Sequence, residues 1–393
     1  MCSAPISLNL DLKRLADEGY DISIVAGHLL IESVPYLTAD KVVKYGKLIF
    51  PLLLNGGKTM RPDDHVAWFC GEGPCDASGR ALTGVINQAG SFPKTPEITA
   101  QFMFSAKPPG GYVDYYQKTV NYINLLAAPA QAIRGDVTAR VYKPRPSIES
   151  ESVFLYEDTA AARAGIAAIS HKLHMGKVAV IGLGGTGSYV LDHLAKTGIK
   201  EIHLYDGDKF FQHNAFRAPG AASLQELEEA LFKVDHYARC YGKMRRGIFP
   251  HPIYITDETI HQLQDMDFVF ICVDRPAVRG LIFDFLHTHK VAFIDVGMEV
   301  KLVAESKQLI GMCRTTLSTP EKNDHLHALV TTTDRAVDNL YLSNIQVSEL
   351  NALNACLAVL KWKKYCGFYQ DAMHEHNSLY SINTHHLSKD EQT

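Results

Sequence analysis

The stretch Lys177-Val178-Ala179-Val180-Ile181-Gly182-Leu183-Gly184-Gly185-Thr186-Gly187-Ser188 decides the fold. Its apolar start reads as a strand of the buried type. The glycines then open a helix from about Thr186 to Thr197, with Gly198 in the position just past its end. Glycines permit the tight turn and let backbone N–H groups approach a phosphate, and the helix N-terminus adds partial positive charge. Strand, glycine loop and helix in this order are the context that a nucleotide or dinucleotide fingerprint requires. The loop alone does not separate NAD, FAD and ATP, and its bland alternative is a glycine-rich turn without a ligand.

Working outward, the same alternation continues. Glu201–Asp206, Asp267–Val273 and Val291–Val296 read as apolar strands. Ser223 to about Tyr241, Val278–His289 and Val347–Lys364 read as helices, with Ser223 and Glu226 spaced as a capping box. Continuous apolar strands separated by helices predict an α/β, Rossmann-like, doubly wound and mostly parallel sheet. The proline-containing polar stretch Lys143–Ser152 marks a domain seam. Before it, Gly19–Tyr36 and His65–Gly71 read as strands and Tyr112–Ile133 as a helix, so a smaller α+β domain is expected over 1–145. The α/β domain is expected over 153–370, and residues 371–393 read as a polar, loosely held tail.

Length and composition agree with this plan. The chain has 393 residues, 46% of them apolar and 21% charged, enough to bury a core without disulfide or metal staples. Its 39 basic and 43 acidic side chains give a net charge of −4, without the basic excess of a nucleic-acid binder. No run of eighteen apolar residues occurs, so no membrane span is expected. The opening residues lack the basic and apolar regions of a signal peptide. Eight dispersed cysteines without a C-x-x-C pair suit a reduced, cytoplasmic chain.

The residues after the glycine loop narrow the ligand. Asp206 ends the next strand, where a carboxylate grips ribose hydroxyls. Asp208, His213, Asn214 and Arg217 follow, then Lys233. A dehydrogenase has no need of a second acid, an Asn and an Arg at the mouth of its pocket, whereas an enzyme acting on ATP phosphates does. Asp274, just past the third strand, stands where α/β sheets hold ligands and where a carboxylate can hold magnesium between phosphates. Singly, Arg217 and Lys233 read as surface cations and Asp274 as a helix cap. In this order after a glycine loop, they read as one site.

This constellation resembles the ThiF–HesA–MoeB adenylyltransferases, whose fold is shared with ubiquitin-activating enzymes. Their pattern is a glycine loop, D-x-D, N-x-x-R, a lysine, and C-x-D with an arginine five residues later. Here it is met by Gly182, Gly184, Gly185, Thr186 and Gly187; Asp206 and Asp208; Asn214 and Arg217; Lys233; and Cys272, Asp274 and Arg279. The resemblance covers about 153–370. Together with HNAFRAPGA at 213–221, it extends to a bacterial subgroup with an uncharacterised N-terminal domain, encoded beside ubiquitin-conjugating-like and deubiquitinase-like proteins.

The resemblance implies that the C-terminal carboxylate of a ubiquitin-like protein attacks the α-phosphate of ATP. Arg217 and Lys233 are then the cations, Asp206 the ribose acid and Asp274 the magnesium carboxylate. It also implies a homodimer with an arginine reaching across, for which Arg163 is the candidate, and transfer toward a ubiquitin-conjugating-like enzyme. Two departures stand out. The family's paired C-x-x-C motifs are missing, so no structural zinc is expected, and Arg275 occupies the place of an asparagine after Asp274. Lys243, Arg245 and Arg246 lie near Lys233, which is favoured because it opens a helix.

A thioester step calls for an accessible thiol. Cys313 is the candidate because it alone lies between the fourth strand and the polar crossover stretch Thr315–His327. Its apolar neighbours Leu309, Ile310 and Met312 argue for a core role instead. Cys272 and Cys356 read as packing, and Cys75 as an exposed thiol in a turn. His325 with His327, His374 with His376, and His385 with His386 form no metal motif. The competing readings are an NAD-dependent oxidoreductase and a non-catalytic nucleotide-binding scaffold that docks a ubiquitin-like partner.

Overall fold

The computed structural model describes residues 4–95, 97–145, 152–164, 166–332 and 345–389. Part of the seam, 146–151, lies outside the described residues. The chain forms two compact units, Met1–Ile148 with Glu157–Ala164, and Glu149–Tyr156 with Gly165–Thr393.

The first unit is an antiparallel sheet with a helix on one face. Its strands are β1 (Ile22–Val25), β2 (His28–Leu37), β3 (Val43–Pro51), β6 (Val66–Cys70), β7 (Ile86–Thr95) and β8 (Ile98–Ser105), with a small hairpin of β4 (Leu54–Asn55) and β5 (Lys58–Thr59). The sheet order is β1-β2-β3-β6-β8-β7. Leu29, Ile31, Phe50, Phe69 and Phe104 turn one face of it toward Tyr122, Ile123 and Leu126 of the helix Tyr115–Ile133. Asp114 caps that helix by accepting from Gln117 N–H at 2.7 Å. The sequence reading found β1, β2, β6 and this helix but missed β3, β7 and β8. The edge strand β7, Ile86–Thr95, contains Gly90 and Pro93 and breaks register against β8, so no period of two survives in its sequence.

The second unit carries the doubly wound sheet. Its strands are β9 (Lys177–Ile181), β10 (Glu201–Tyr205), β11 (Ile248–His251), β12 (Phe268–Ile271), β13 (Ala292–Val303), β14 (Gln308–Ser318), β15 (Asn377–Ser381) and β16 (His386–Lys389). They lie in the order β11-β10-β9-β12-β13-β14-β15-β16. The first five neighbours are parallel and the rest antiparallel. Val178 and Val180 of β9 enter the core against the helices Gly185–Leu194 and Ser348–Tyr365. Ala179 and Ile181 enter the core on the opposite face, with Phe283 and Leu286 of the helix Pro276–Thr288. Alternate residues buried on both faces explain the unbroken apolar run.

Register sets the site. Ile181 pairs with Tyr205 and with Ile271, so the carboxyl ends of β9, β10 and β12 are level. The chain order reverses at β9, the switch point at which such sheets bind ligands.

The helix expected over 223–241 is two helices, Leu224–Glu228 and Lys233–Tyr241. The capping box at Ser223 and Glu226 is present, but Ala230 takes φ 46° and breaks the run. Gly198 does not end its helix, which stops at Leu194; the buried Arg245 side chain gathers the freed carbonyls of Thr197 (3.1 Å) and Ile199. The supposed loose tail supplies β15 and β16, because Asn377–Ser381 pairs with Met312–Thr316 and closes an otherwise open edge.

Candidate nucleotide site

The glycine loop is built by close approach. Gly182 has φ +85°, its N–H bonds the Tyr205 carbonyl at 2.8 Å, and a Cβ there would stand 2.8 Å from the Cys272 carbonyl oxygen. A Cβ on Gly187 would stand 1.8 Å from the Gly182 carbonyl oxygen, and one on Gly185 would strike the Asn351 amide. Gly184, the residue before the helix Gly185–Leu194, differs from these three. A Cβ on it would meet nothing within 4 Å. The loop is therefore packed from behind and open at Gly184, where an anion would meet the helix N-terminus.

Asp206 braces the loop. It is 7% exposed; one carboxylate oxygen accepts from Leu183 N–H at 2.7 Å and the other from Asp208 N–H at 2.8 Å. Lys233 is the first residue of its helix, and its ammonium lies 2.7 Å from Asp208 Oδ2 and 3.4 Å from Asp206 Oδ2. The break at Ala230 makes this possible, since Phe210 N–H bonds Leu231 O and Lys233 N–H bonds Asp208 O. The Tyr254 hydroxyl also donates to Asp208. Partial burial pushes the Asp208 carboxyl up, but Lys233 and Tyr254 outweigh it and hold it below its usual value. The ribose role expected of Asp206 thus meets a carboxylate already engaged at both oxygens, whereas the Asp208 side chain is 53% exposed.

Asn214 and Arg217 form a second piece. Asn214 is buried, accepts from Phe211 N–H at 2.9 Å, and receives the Arg217 N–H on its carbonyl at 3.1 Å. Its side-chain N–H group has no partner among the described residues, and neither has the buried Nε of Arg217. Buried donors without acceptors are costly, so both are suited to a bound anion or ester oxygen.

Asp274 lies in the turn between β12 and the helix Pro276–Thr288. It is exposed and makes no hydrogen bond or ion pair among the described residues. It does not cap the helix; Arg275 occupies that position. No group of three or more metal-binding side chains occurs among the described residues. One free carboxylate still fits magnesium, an ion that relies chiefly on phosphate and water oxygens.

Cys313 and Cys75 depart from the accessibility expected of them, whereas Cys272 and Cys356 are packed as expected. Cys313 is fully buried within β14, its Sγ 3.6 Å from the Leu350 carbonyl, and burial pushes its thiol up to about 11. It pairs in register with Met298 and Tyr380, so it is a sheet residue and not part of a mobile loop. Cys75, expected to be exposed, is 5% exposed. Cys356 is half-buried with its Sγ 3.3 Å from His193 Nε2, and burial raises the Cys272 thiol. The Arg163 side chain lies outside the described residues. His325 Nε2 and His376 Nδ1 both serve the Leu317 carbonyl, at 2.9 and 3.2 Å. Tyr254 and Asn351, whose Oδ1 accepts from the Thr186 hydroxyl at 3.0 Å, were not legible as site residues; neither lies in a motif.

Glycine loop, braced acid pair, buried cation and free carboxylate gather at the switch point of the α/β sheet, where such sheets bind ligands. Residues 158–390 match the ThiF family, and the chain belongs to that family. Residues 10–159 match a family described as a domain of unknown function (DUF6791). Among curated relatives, the adenylyltransferase and sulfurtransferase uba4 of Emericella nidulans is 31% identical over 128 residues, covering 29% of this chain and 23% of that protein. The protein of the same name from Aspergillus fumigatus is 32% identical over 120 residues, with the same coverage. This chain thus spans about a quarter of the length of the curated relatives it matches. Similar solved structures include E. coli MccB with ATP (19% identity, TM-score 0.45, 56% of this chain and 65% of that chain). PaaA is another (14% identity, TM-score 0.42, 57% and 75%). No described helix is long and apolar enough to cross a membrane.

Proposed function

We propose that this chain is an ATP-dependent adenylyltransferase that activates the C-terminal carboxylate of a ubiquitin-like protein. The observation that carries the reading is the pair of buried, unpartnered donors on Asn214 and Arg217, in the segment that follows an open glycine loop and its acid pair. In this reading the phosphates lie against Gly184 and the helix N-terminus, and Asp208 meets the ribose hydroxyls in place of Asp206. The substrate carboxylate oxygen bonds to the α-phosphorus as the bond to the bridging oxygen of pyrophosphate breaks. The products are an acyl adenylate and pyrophosphate. Arg217 and Lys233 counter the charge that grows on the phosphoryl oxygens, where preorganised cations are worth most. Asp274 is the carboxylate that would hold a magnesium ion, which would supply positive charge to offset that on the pyrophosphate.

The same reading places the chain in a bacterial protein-conjugation system and in a homodimer, the commonest symmetric assembly. With both candidate thiols, Cys313 and Cys75, buried, the reading takes the thiol of a conjugating-enzyme-like partner as the acyl acceptor: the thioester bond forms as the acyl–phosphate bond breaks and AMP leaves. The relatives named adenylyltransferase support the activity, and MccB is described with ATP and with MccA. Calorimetric titration with ATP and with NADH, each with magnesium, tests the nucleotide assignment. Tight NADH binding without ATP binding would favour an oxidoreductase. ATP–pyrophosphate exchange that depends on a ubiquitin-like protein tests the reaction, and nucleotide binding without exchange would favour a scaffold.

A further inference from the structure

Behind the Asp274 turn lies a charged network for which the catalytic scheme has no role. Asp295 of β13 is fully buried. Arg279 Nε stands 2.8 Å from its Oδ1 as an ion pair out of hydrogen-bond alignment, and Arg314 NH2 bonds its Oδ2 at 2.5 Å. Arg314 also bonds the Thr316 hydroxyl, which in turn donates to Asn377 Oδ1 at 2.8 Å, so the network reaches β15. At its other end, Arg279 NH2 donates to the Val273 carbonyl at 2.7 Å. Val273 immediately precedes Asp274.

We propose that Arg279, anchored by Asp295 and Arg314, is a positioning residue that sets the direction of the Asp274 carboxylate. Asp274 is exposed and unbonded, so nothing on its own side chain fixes where it points. Its direction follows from the peptide before it, and Arg279 grips that peptide. The planar guanidinium faces the Asp295 carboxylate as an ion pair through Nε and the Val273 carbonyl as a hydrogen bond through its NH2; a lysine ammonium is a point charge on a flexible stem.

This inference rests on the reading of Asp274 as the magnesium carboxylate, and the experiment separates the two. ATP affinity of the full chain is measured by calorimetry with magnesium and again with a chelator; the readout is the ratio. Asp274→Ala is expected to remove the magnesium-dependent gain. Arg279→Lys is expected to cut that gain by about tenfold, the scale on which partners behind a metal ligand act, and to leave metal-free ATP affinity unchanged. The double variant Arg279→Gln with Asp295→Asn replaces the pair by a neutral one and is expected to give the same selective loss, should the lysine variant fold poorly. If Asp274→Ala removes the gain and the Arg279 variants keep it, the positioning role is overturned while the site reading stands. Equal losses with and without metal would make Arg279 merely structural and also overturn it. If Asp274→Ala keeps the gain, the reading of Asp274 fails and the inference falls with it.

Discussion

Two glycines three residues apart should respond oppositely to the same added methyl group. At Gly187 a Cβ would stand 1.8 Å from the Gly182 carbonyl oxygen, about 1.6 Å inside ordinary contact. The oxygen belongs to the backbone of the loop itself, so no side chain can swing away. Relief requires the first turn of the helix Gly185–Leu194 to lift off β9. Overpacking of this kind costs about 1–3 kcal/mol, and here the upper half of that range applies. At roughly 2–4 °C per kcal/mol for a domain of this size, Gly187→Ala should lower Tm by roughly 4–12 °C. At Gly184 the same group meets nothing within 4 Å. With no contact to relieve, Gly184→Ala should lower Tm by less than Gly187→Ala does. Its methyl group projects where the phosphates are placed, and ATP affinity should fall by at least about tenfold, equivalent to 1.4 kcal/mol. Thermal melts and calorimetric titration read the two effects. Native ATP affinity in Gly184→Ala would refute the placement of the phosphates, and an unshifted Tm in Gly187→Ala would refute the packing argument.

Three further outcomes are expected. Arg217→Ala should reduce ATP–pyrophosphate exchange by at least about tenfold, the scale of one charged contact in the transition state, with Tm nearly unchanged; native exchange rates would remove Arg217 from the site. The depressed Asp208 carboxyl adds stability that is full above its unfolded value of 3.8 and is lost as pH falls through the lower folded value. Asp208→Asn should thus flatten the acid limb of Tm against pH below about 4, by well under about 1 kcal/mol because the side chain is half exposed, and an identical acid limb would count against the ion pair. Iodoacetamide at mild alkaline pH should label exposed Cys240 well before Cys313, whose thiol is pushed up to about 11 by burial; equal labelling would mean that β14 opens readily.

The α/β unit was legible because its information is local. A buried parallel strand needs an apolar run, a phosphate loop needs glycines at its close approaches, and both signals lie within twelve residues, 177–188. The helix Ser348–Tyr365 could be read within a residue or so of each end for the same reason. In the first unit, β3 and β7 were missed because Gly46, Gly90 and Pro93 interrupt the alternation, and only pairing with neighbours makes those segments strands. The polar segment after 371 misled in the same way: Asn377–Ser381 shows no apolar run, yet its backbone completes the ladder of β14.

At the site, the sequence by itself determined the kinds of residue present and their order: glycine loop, two acids, Asn214, Arg217, Lys233 and Asp274. The tertiary structure decided what each can do. It spends both Asp206 oxygens on the backbone, leaves Asp208 half exposed, buries Lys233 between them, and leaves Asp274 free. It removes Cys313 from consideration as a mobile thiol by placing it in a strand core, and it draws Tyr254, Asp295 and Arg314 from distant segments to act on the motif residues. The physical reason is that hydrogen bonds and desolvation depend on separation in space, which residue order constrains only where the chain is locally regular.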